Sequence, residues 1–299
     1  MPTQQHPHAR PRRSMLYMPG SNARALDKGR SLACDALIMD LEDAVAPDAK
    51  QEARGQIVAA LQEGGYGQRE ILVRTNGLDT PWGYDDIAAA ATSGAHGILL
   101  PKVEGANTIH QVERIMDSAG APADQAIWCM METPLGILNA QEIGAASPRV
   151  GGFVMGTSDL AKDMHGLHTR DRVPFQSSLS HCVLVARAYG LAIVDGVHLD
   201  LDDDEGFAYS CQQGLEMGFD GKTLIHPKTI AKANDVFGPT EKDVAWAKKI
   251  IEAFEAAQAE GKGVVVVDGK LVENLHVVEA KRVVALSDMI DQLEADLAD

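Results

Sequence analysis

Ile127-Trp128-Cys129-Met130-Met131-Glu132, followed by Thr133-Pro134-Leu135-Gly136, is a short apolar run that stops at an acid. The same design recurs where Gly152-Phe153-Val154-Met155-Gly156 runs into Thr157-Ser158-Asp159. A continuous apolar run of this length, bounded by turn residues, suits a strand buried on both faces of a parallel sheet. Working outward, comparable runs occupy residues 14–18, 36–41, 71–75, 97–100, 127–131, 152–155, 191–194 and 221–225. Helix-length stretches such as 22–32, 49–63 and 107–118 separate them. Strands alternating with helices over this length predict an α/β fold, a TIM (β/α)8 barrel spanning residues 14–238. A doubly wound open sheet is the other arrangement such alternation allows, but no Gly-x-Gly-x-x-Gly turn follows an early strand.

The bulk composition narrows the functional classes. The chain has 299 residues, 45% of them hydrophobic and 23% charged, with no apolar stretch long enough to span a bilayer. A net charge of −16 opposes general nucleic-acid binding, because phosphate contacts need clustered Lys and Arg. An anionic substrate then requires a locally positive pocket. Cys34, Cys129, Cys182 and Cys211 have no metal-type spacing and are expected to be reduced thiols, which points to the cytoplasm. Residues 1–13 hold three prolines, two histidines and three arginines without an acid or a following apolar segment, and are expected to form a disordered arm.

Beyond Pro239 the pattern changes. Residues 241–260 read as a helix with Val244, Ala247, Ile251 and Phe254 on one face. Asp268-Gly269 between apolar runs signals a tight hairpin, and residues 280–297 read as another helix. Residues 239–299 are therefore expected to form a helix–hairpin–helix lid or arm that packs on the barrel or on a neighbouring subunit.

Residues at the C-terminal ends of parallel strands face the mouth of an α/β fold, where active sites sit. Taken in order, these ends supply Tyr17, with Lys28 on the following helix, then Asp40-Leu41-Glu42-Asp43, Arg74, Lys102, Glu132, Asp159, Asp195 and Ile225-His226. Glu132 and Asp159 offer two hard oxygen ligands, and Mg2+ commonly takes one or two protein carboxylates and leaves the rest of its shell to water and substrate. The plainer reading of either acid is a helix N-cap or first-turn residue. Arg74 has the planar fork that grips a carboxylate, and an ion pair with Glu42 or Asp43 is the competing or coexisting role. Glu42 and Asp43 are suited to orienting a cation's waters, although Asp43 also fits a helix cap. Lys102 is read as structural, paired with an acid; Asp202, Asp203, Asp204 and Glu205 as a solvated helix start; His226 as a packed loop histidine.

These motifs resemble the citrate lyase β-subunit-like CoA-ester lyases of the HpcH/HpaI aldolase superfamily. The matching pieces are Leu16-Tyr17-Met18-Pro19-Gly20-Ser21, Asp40-Leu41-Glu42-Asp43-Ala44-Val45, Val73-Arg74-Thr75-Asn76, Leu100-Pro101-Lys102, Met131-Glu132-Thr133, Gly156-Thr157-Ser158-Asp159-Leu160 and Gly221-Lys222-Thr223-Leu224-Ile225-His226-Pro227. Within the superfamily the chain is most similar to the malyl-CoA and citramalyl-CoA lyase branch and its (3S)-malyl-CoA thioesterase relatives. The resemblance implies a Mg2+-dependent TIM barrel, with Mn2+ as a substitute ion, that assembles as a homotrimer or hexamer. It implies Mg2+ on Glu132 and Asp159, Arg74 on the substrate, and Tyr17, Lys28, Ser158, Ile225 and His226 along the substrate and CoA path. The implied reaction is cleavage of a β-hydroxyacyl-CoA into an α-keto acid and an acyl-CoA, with hydrolysis of malyl-CoA to malate and CoA as the alternative. In such relatives the C-terminal segment brings a catalytic aspartate to a neighbour's barrel; here the corresponding run, Gly269-Lys270-Leu271-Val272-Glu273, ends in the longer glutamate. An arginine expected after Pro19-Gly20-Ser21 is replaced by Asn22, with Arg24 close by.

Overall fold

The computed structural model describes residues 10–298. Eight parallel strands close into a barrel in consecutive order: β1 (Ser14–Pro19), β2 (Ala36–Asp40), β3 (Glu70–Arg74), β4 (Gly97–Leu100), β5 (Ala126–Met131), β6 (Val150–Met155), β7 (Ala192–Asp195) and β8 (Gly221–Leu224). Pairing of Leu16 with Leu224 completes the ring between β1 and β8. The predicted TIM barrel is thus the observed fold.

Strand alternation sorts side chains between two cores. Met15, Ile38, Leu72, Leu99, Trp128 and Val154 pack inside the ring, whereas Leu16, Leu37, Val73, Ile98, Cys129 and Phe153 pack outward with the helices. Trp128 is wholly buried in the interior, and the glycines opposite make room for it. A Cβ on Gly152 would come within 2.5 Å of the indole, and one on Gly97 within 3.1 Å. The Arg12 guanidinium lies 5.1 Å from the same ring and bonds to Glu70.

Arg12 and Arg13, the last residues of the expected arm, lie within the described structure, where Arg13 donates to Asp35 from both backbone and side chain. Both arginines are buried, and the compact unit begins at Arg12, while the first strand starts at Ser14 as expected. Two unscreened cations at a barrel floor find carboxylate partners there, which composition alone does not reveal. Residues 1–9 of the expected arm lie outside the described residues.

The chain divides into a compact unit Arg12–Phe237 and a second that contains the residues from Gly238 onward. In the second unit, helix Glu241–Ala259 starts with a capping box between Thr240 and Asp243. The hairpin of β9 (Val265–Val267) and β10 (Lys270–Val272) turns through Asp268 and Gly269, whose φ values of 48° and 77° fit the two-residue turn read from the sequence. Helix Asn274–Ala298 begins six residues before the sequence pattern suggested. The buried face of the first helix runs Ala247, Ile250, Phe254 and Ala257, so Ile250 replaces Ile251 as the inward residue. An apolar stripe about 100° wide accommodates either choice, and packing on Val267, Val272 and Val277 selects between them.

Candidate active site

The C-terminal rim of the barrel holds a cavity of about 350 Å³. Tyr17, Asp40, Asp43, Arg74, Met130, Glu132, Ser158, Asp159, Thr223 and Ile225 line it. Tyr17, Asp40, Arg74 and Met130 are inward positions of β1, β2, β3 and β5, so barrel alternation aims them at the opening. A larger neighbouring cavity, about 390 Å³, shares Thr157, Val197 and Leu199 with it but lacks the Glu132–Asp159 pair.

On one side stands Glu132, directly after β5 and 2% exposed. It is not a helix cap: Thr133 takes that role by accepting from the Gly136 N–H at 3.0 Å. Glu132 Oε1 accepts from the main-chain N–H of Lys102 at 2.8 Å. Its Oε2 lies over Gly156, where an added Cβ would collide with it. Asp159 enters the cavity from the first turn of helix Thr157–Met164, partly exposed. Burial pushes the Glu132 carboxyl up to about 7, and the nearby charges of Glu42 and Asp159 add to the rise. Carboxylates gathered in a buried place without a full countercharge favour a bound cation. Among the described residues no cluster of three or more His, Cys, Asp or Glu is arranged to hold a metal. Two carboxylates on one cavity, Glu132 and Asp159, fit an ion that keeps part of its shell for water and substrate, as Mg2+ does.

On the other side, Arg74 binds Asp40 through Nε at 2.7 Å and Nη2 at 2.6 Å. Its Nη1 lies 2.9 Å from Glu42 and 3.5 Å from Asp43. Burial opposes the guanidinium charge, but the bonds to Asp40 outweigh it and hold Arg74 firmly protonated. The guanidinium also stacks over the Tyr17 ring at 4.8 Å, while the Tyr17 hydroxyl donates to Met130 Sδ at 3.4 Å. Burial raises the Tyr17 phenol, keeping it neutral. Lys50 supports the loop after β2 by donating to the carbonyls of Leu41 and Glu42 at 2.8 Å each.

The structure thus gathers Tyr17, Asp43, Arg74, Glu132, Ser158, Asp159 and Ile225 around one cavity, with Glu42 behind Arg74. The Ser158 hydroxyl is buried with no hydrogen-bond partner. Asp43 caps no helix; its side chain is 66% exposed beside Arg74. Lys28 is exposed on helix Ala23–Gly29 and His226 caps the short turn Pro227–Thr229, and neither lines the cavity. Asn22 caps the helix that carries Lys28. Glu273 belongs to the second unit, exposed at the start of helix Asn274–Ala298, with its N–H donating to His276 Nδ1 at 3.0 Å. Asp203 is the N-cap of helix Asp204–Met217, in keeping with the helix-start reading of that acidic run.

Sequence reasoning assigned no role to Asp40. Its signal was present in the alternation Ala36, Ile38, Asp40, which places the acid on the same inward face as two core residues. It also missed a buried ion cluster in which Asp195 accepts from Arg172 at 2.7 Å and Lys222 at 2.9 Å. Burial alone would raise the Asp195 carboxyl, but the two cations lower it.

Three comparisons bear on this arrangement. The model of the HpcH/HpaI aldolase/citrate lyase family matches residues 13–227. A (3S)-malyl-CoA thioesterase of Cereibacter sphaeroides is 50% identical over 94% of this chain and 96% of its own length. An L-malyl-CoA/beta-methylmalyl-CoA lyase of the same species is 34% identical over 95% of this chain and 97% of its own. Among solved structures, the CitE protein of Mycobacterium tuberculosis in complex with magnesium, acetoacetate and coenzyme A superposes with a TM-score of 0.73. That match is 25% identical and covers 94% of this chain and 99% of the other. Among the described residues no helix is long and apolar enough to cross a membrane.

Proposed function

The chain belongs to the HpcH/HpaI aldolase/citrate lyase family of enzymes, and we propose that it is a Mg2+-dependent thioesterase hydrolysing a malyl-CoA-type β-hydroxyacyl-CoA to the free hydroxy acid and CoA. The observation that carries this reading is the identity of 50% with a (3S)-malyl-CoA thioesterase, against 34% with a malyl-CoA lyase, over nearly the whole chain in both cases.

Glu132 and Asp159 are the residues that would hold Mg2+, which when bound supplies Lewis-acid polarisation of a substrate oxygen. The Nη1 edge of Arg74, which Glu42 already shares at 2.9 Å, would be the cationic contact for the malyl carboxylate, since Nε and Nη2 are engaged by Asp40. Glu42 and Asp43 keep that edge oriented and order water near it. Tyr17 forms an apolar and hydrogen-bonding wall, Ser158 offers an unpaired hydroxyl, and Ile225 lines the route for the CoA arm. Lys28 and His226, outside the cavity, suit the more distant CoA phosphates.

Glu273, contributed by a second copy in a homo-oligomer, would serve as the base that takes a proton from the attacking water. Water oxygen bonds to the thioester carbon, the carbon–sulfur bond breaks, and the CoA thiolate leaves, taking the proton that Glu273 removed from the water. The extra methylene of glutamate, relative to aspartate, suits a reach to water rather than to the acetyl carbon.

The second reading is lyase chemistry at the same rim, favoured by the lyase relative and by the acetoacetate complex of the structural neighbour. Incubating purified protein with malyl-CoA and Mg2+ separates the two. Malate with free CoA supports hydrolysis, and glyoxylate with acetyl-CoA favours cleavage of the carbon–carbon bond.

A further inference from the structure

We propose that Lys102 is a positioning residue whose left-handed backbone turn fixes the cation-facing edge of Glu132 and whose ammonium fixes the substrate-facing edge of Arg74. This deepens the proposed metal site and rests on it.

Lys102 has φ of 48°, a conformation that a side chain with a Cβ adopts at a cost. Among the described residues the other non-glycine positions with positive φ are His165, Arg172 and Asp268. Asp268 makes a hairpin turn and His165 ends a helix. Lys102 does neither: it lies between β4 and helix Ala106–Ala119, after Pro101. What its turn achieves is visible at the neighbouring strand end, after β5, where its N–H meets Glu132 Oε1 at 2.8 Å. One oxygen of Glu132 is thereby occupied, and Oε2 is left over Gly156, three residues before Asp159.

The side chain acts in the other direction, toward β3 and β2. Lys102 Nζ lies 3.2 Å from Glu42 Oε1, and Glu42 Oε2 lies 2.9 Å from Arg74 Nη1. Glu42 is therefore divided between two cations. Without the ammonium, both its oxygens become available to Nη1, the edge of Arg74 that Asp40 leaves for substrate. Stability alone gives little reason for the arrangement, because the Lys102 side chain is 46% exposed and such surface pairs contribute little.

Substitution separates the two roles. Lys102→Gly keeps the turn and the N–H but removes the ammonium; Lys102→Val opposes the turn through its β-branch; Lys102→Arg keeps the charge. Each is titrated with Mg2+ calorimetrically after chelation and without substrate, and then assayed for KM and kcat on malyl-CoA, whichever products form. Lys102→Gly is expected to bind Mg2+ within about twofold of wild type yet show a KM raised about tenfold, with kcat less affected. Lys102→Arg restores KM. Lys102→Val loses about tenfold or more in Mg2+ affinity. If it fails to fold, Lys102→Ala shows the same loss in smaller measure. Wild-type Mg2+ affinity in a folded Lys102→Val or Lys102→Ala, or an unchanged KM in Lys102→Gly, overturns the inference while leaving the metal site intact. Absence of Mg2+ binding by wild type overturns the metal site and this inference with it.

Discussion

Asp40 and Arg74 form a two-point ion pair at the inward ends of β2 and β3, with Nε to Oδ1 at 2.7 Å and Nη2 to Oδ2 at 2.6 Å. Asp40 is 1% exposed and also accepts from the Glu42 and Ala44 N–H groups, so the carboxylate fixes both the arginine and the loop after β2. Asp40→Asn keeps the shape and removes the charge. It is expected to raise KM for the acyl-CoA by about 10- to 100-fold and to destabilise the protein by roughly 3 kcal/mol, since a buried arginine loses its two-point carboxylate and keeps Glu42 and Asp43 on Nη1 alone. Steady-state kinetics with denaturant unfolding checks both; an unchanged KM would remove Asp40 from the account.

Glu132 gives a pH prediction with a definite sign. Its folded-state value, raised from 4.5 to about 7, means that the metal-free fold favours the protonated acid. That contribution is fully present below 4.5 and is lost as pH rises through about 7. Without metal, Glu132→Gln is therefore expected to be more stable than wild type at pH 8, by no more than about 3 kcal/mol, with the gap closing toward pH 4.5. Added Mg2+ should stabilise wild type and leave the variant unmoved. Thermal melts across pH with and without Mg2+ make the comparison, and parallel melting curves for the two proteins would contradict it.

The Asp195–Lys222–Arg172 cluster is read as a fixed support of the barrel wall rather than as chemistry, because Lys222 is fully buried beside a fully buried Asp195. Lys222→Met strips one cation from a shared carboxylate. Urea unfolding should show a loss of about 3–5 kcal/mol, and a variant as stable as wild type would mean that the cluster is not a support.

Glu273→Asp tests the reach of the proposed base. Shortening the side chain by one methylene is expected to shift products from malate and CoA toward glyoxylate and acetyl-CoA. Chromatography of the product mixture reads the ratio, and an unaltered ratio at an unaltered rate would exclude Glu273 as the deciding group.

The barrel was legible because eight apolar runs and their spacing carry the strand period directly. The rim was legible in part: Glu132 and Asp159 stand out as acids where apolar runs end, and the structure places both on one cavity. Asp40 was obscured because Glu42 and Asp43, two and three residues on, offer the same charge, and only the pleat decides which of them faces inward. Lys222 was hidden for a different reason, since a lone cation inside the strand 221–225 gives no sign of its buried partner, Asp195, on the neighbouring strand. Arg12 and Arg13 likewise resembled the basic arm before them, and their carboxylate partners Glu70 and Asp35 are remote in sequence.

One divalent cation held between Glu132 and Asp159 is what the proposed chemistry requires. Calorimetric titration of chelated wild-type protein with Mg2+, alongside Glu132→Gln and Asp159→Asn, tests this most directly. A single site per chain is expected in wild type, lost in both variants together with turnover. Mg2+ binding that persists unchanged in either variant, or turnover that survives complete removal of the ion, would contradict it.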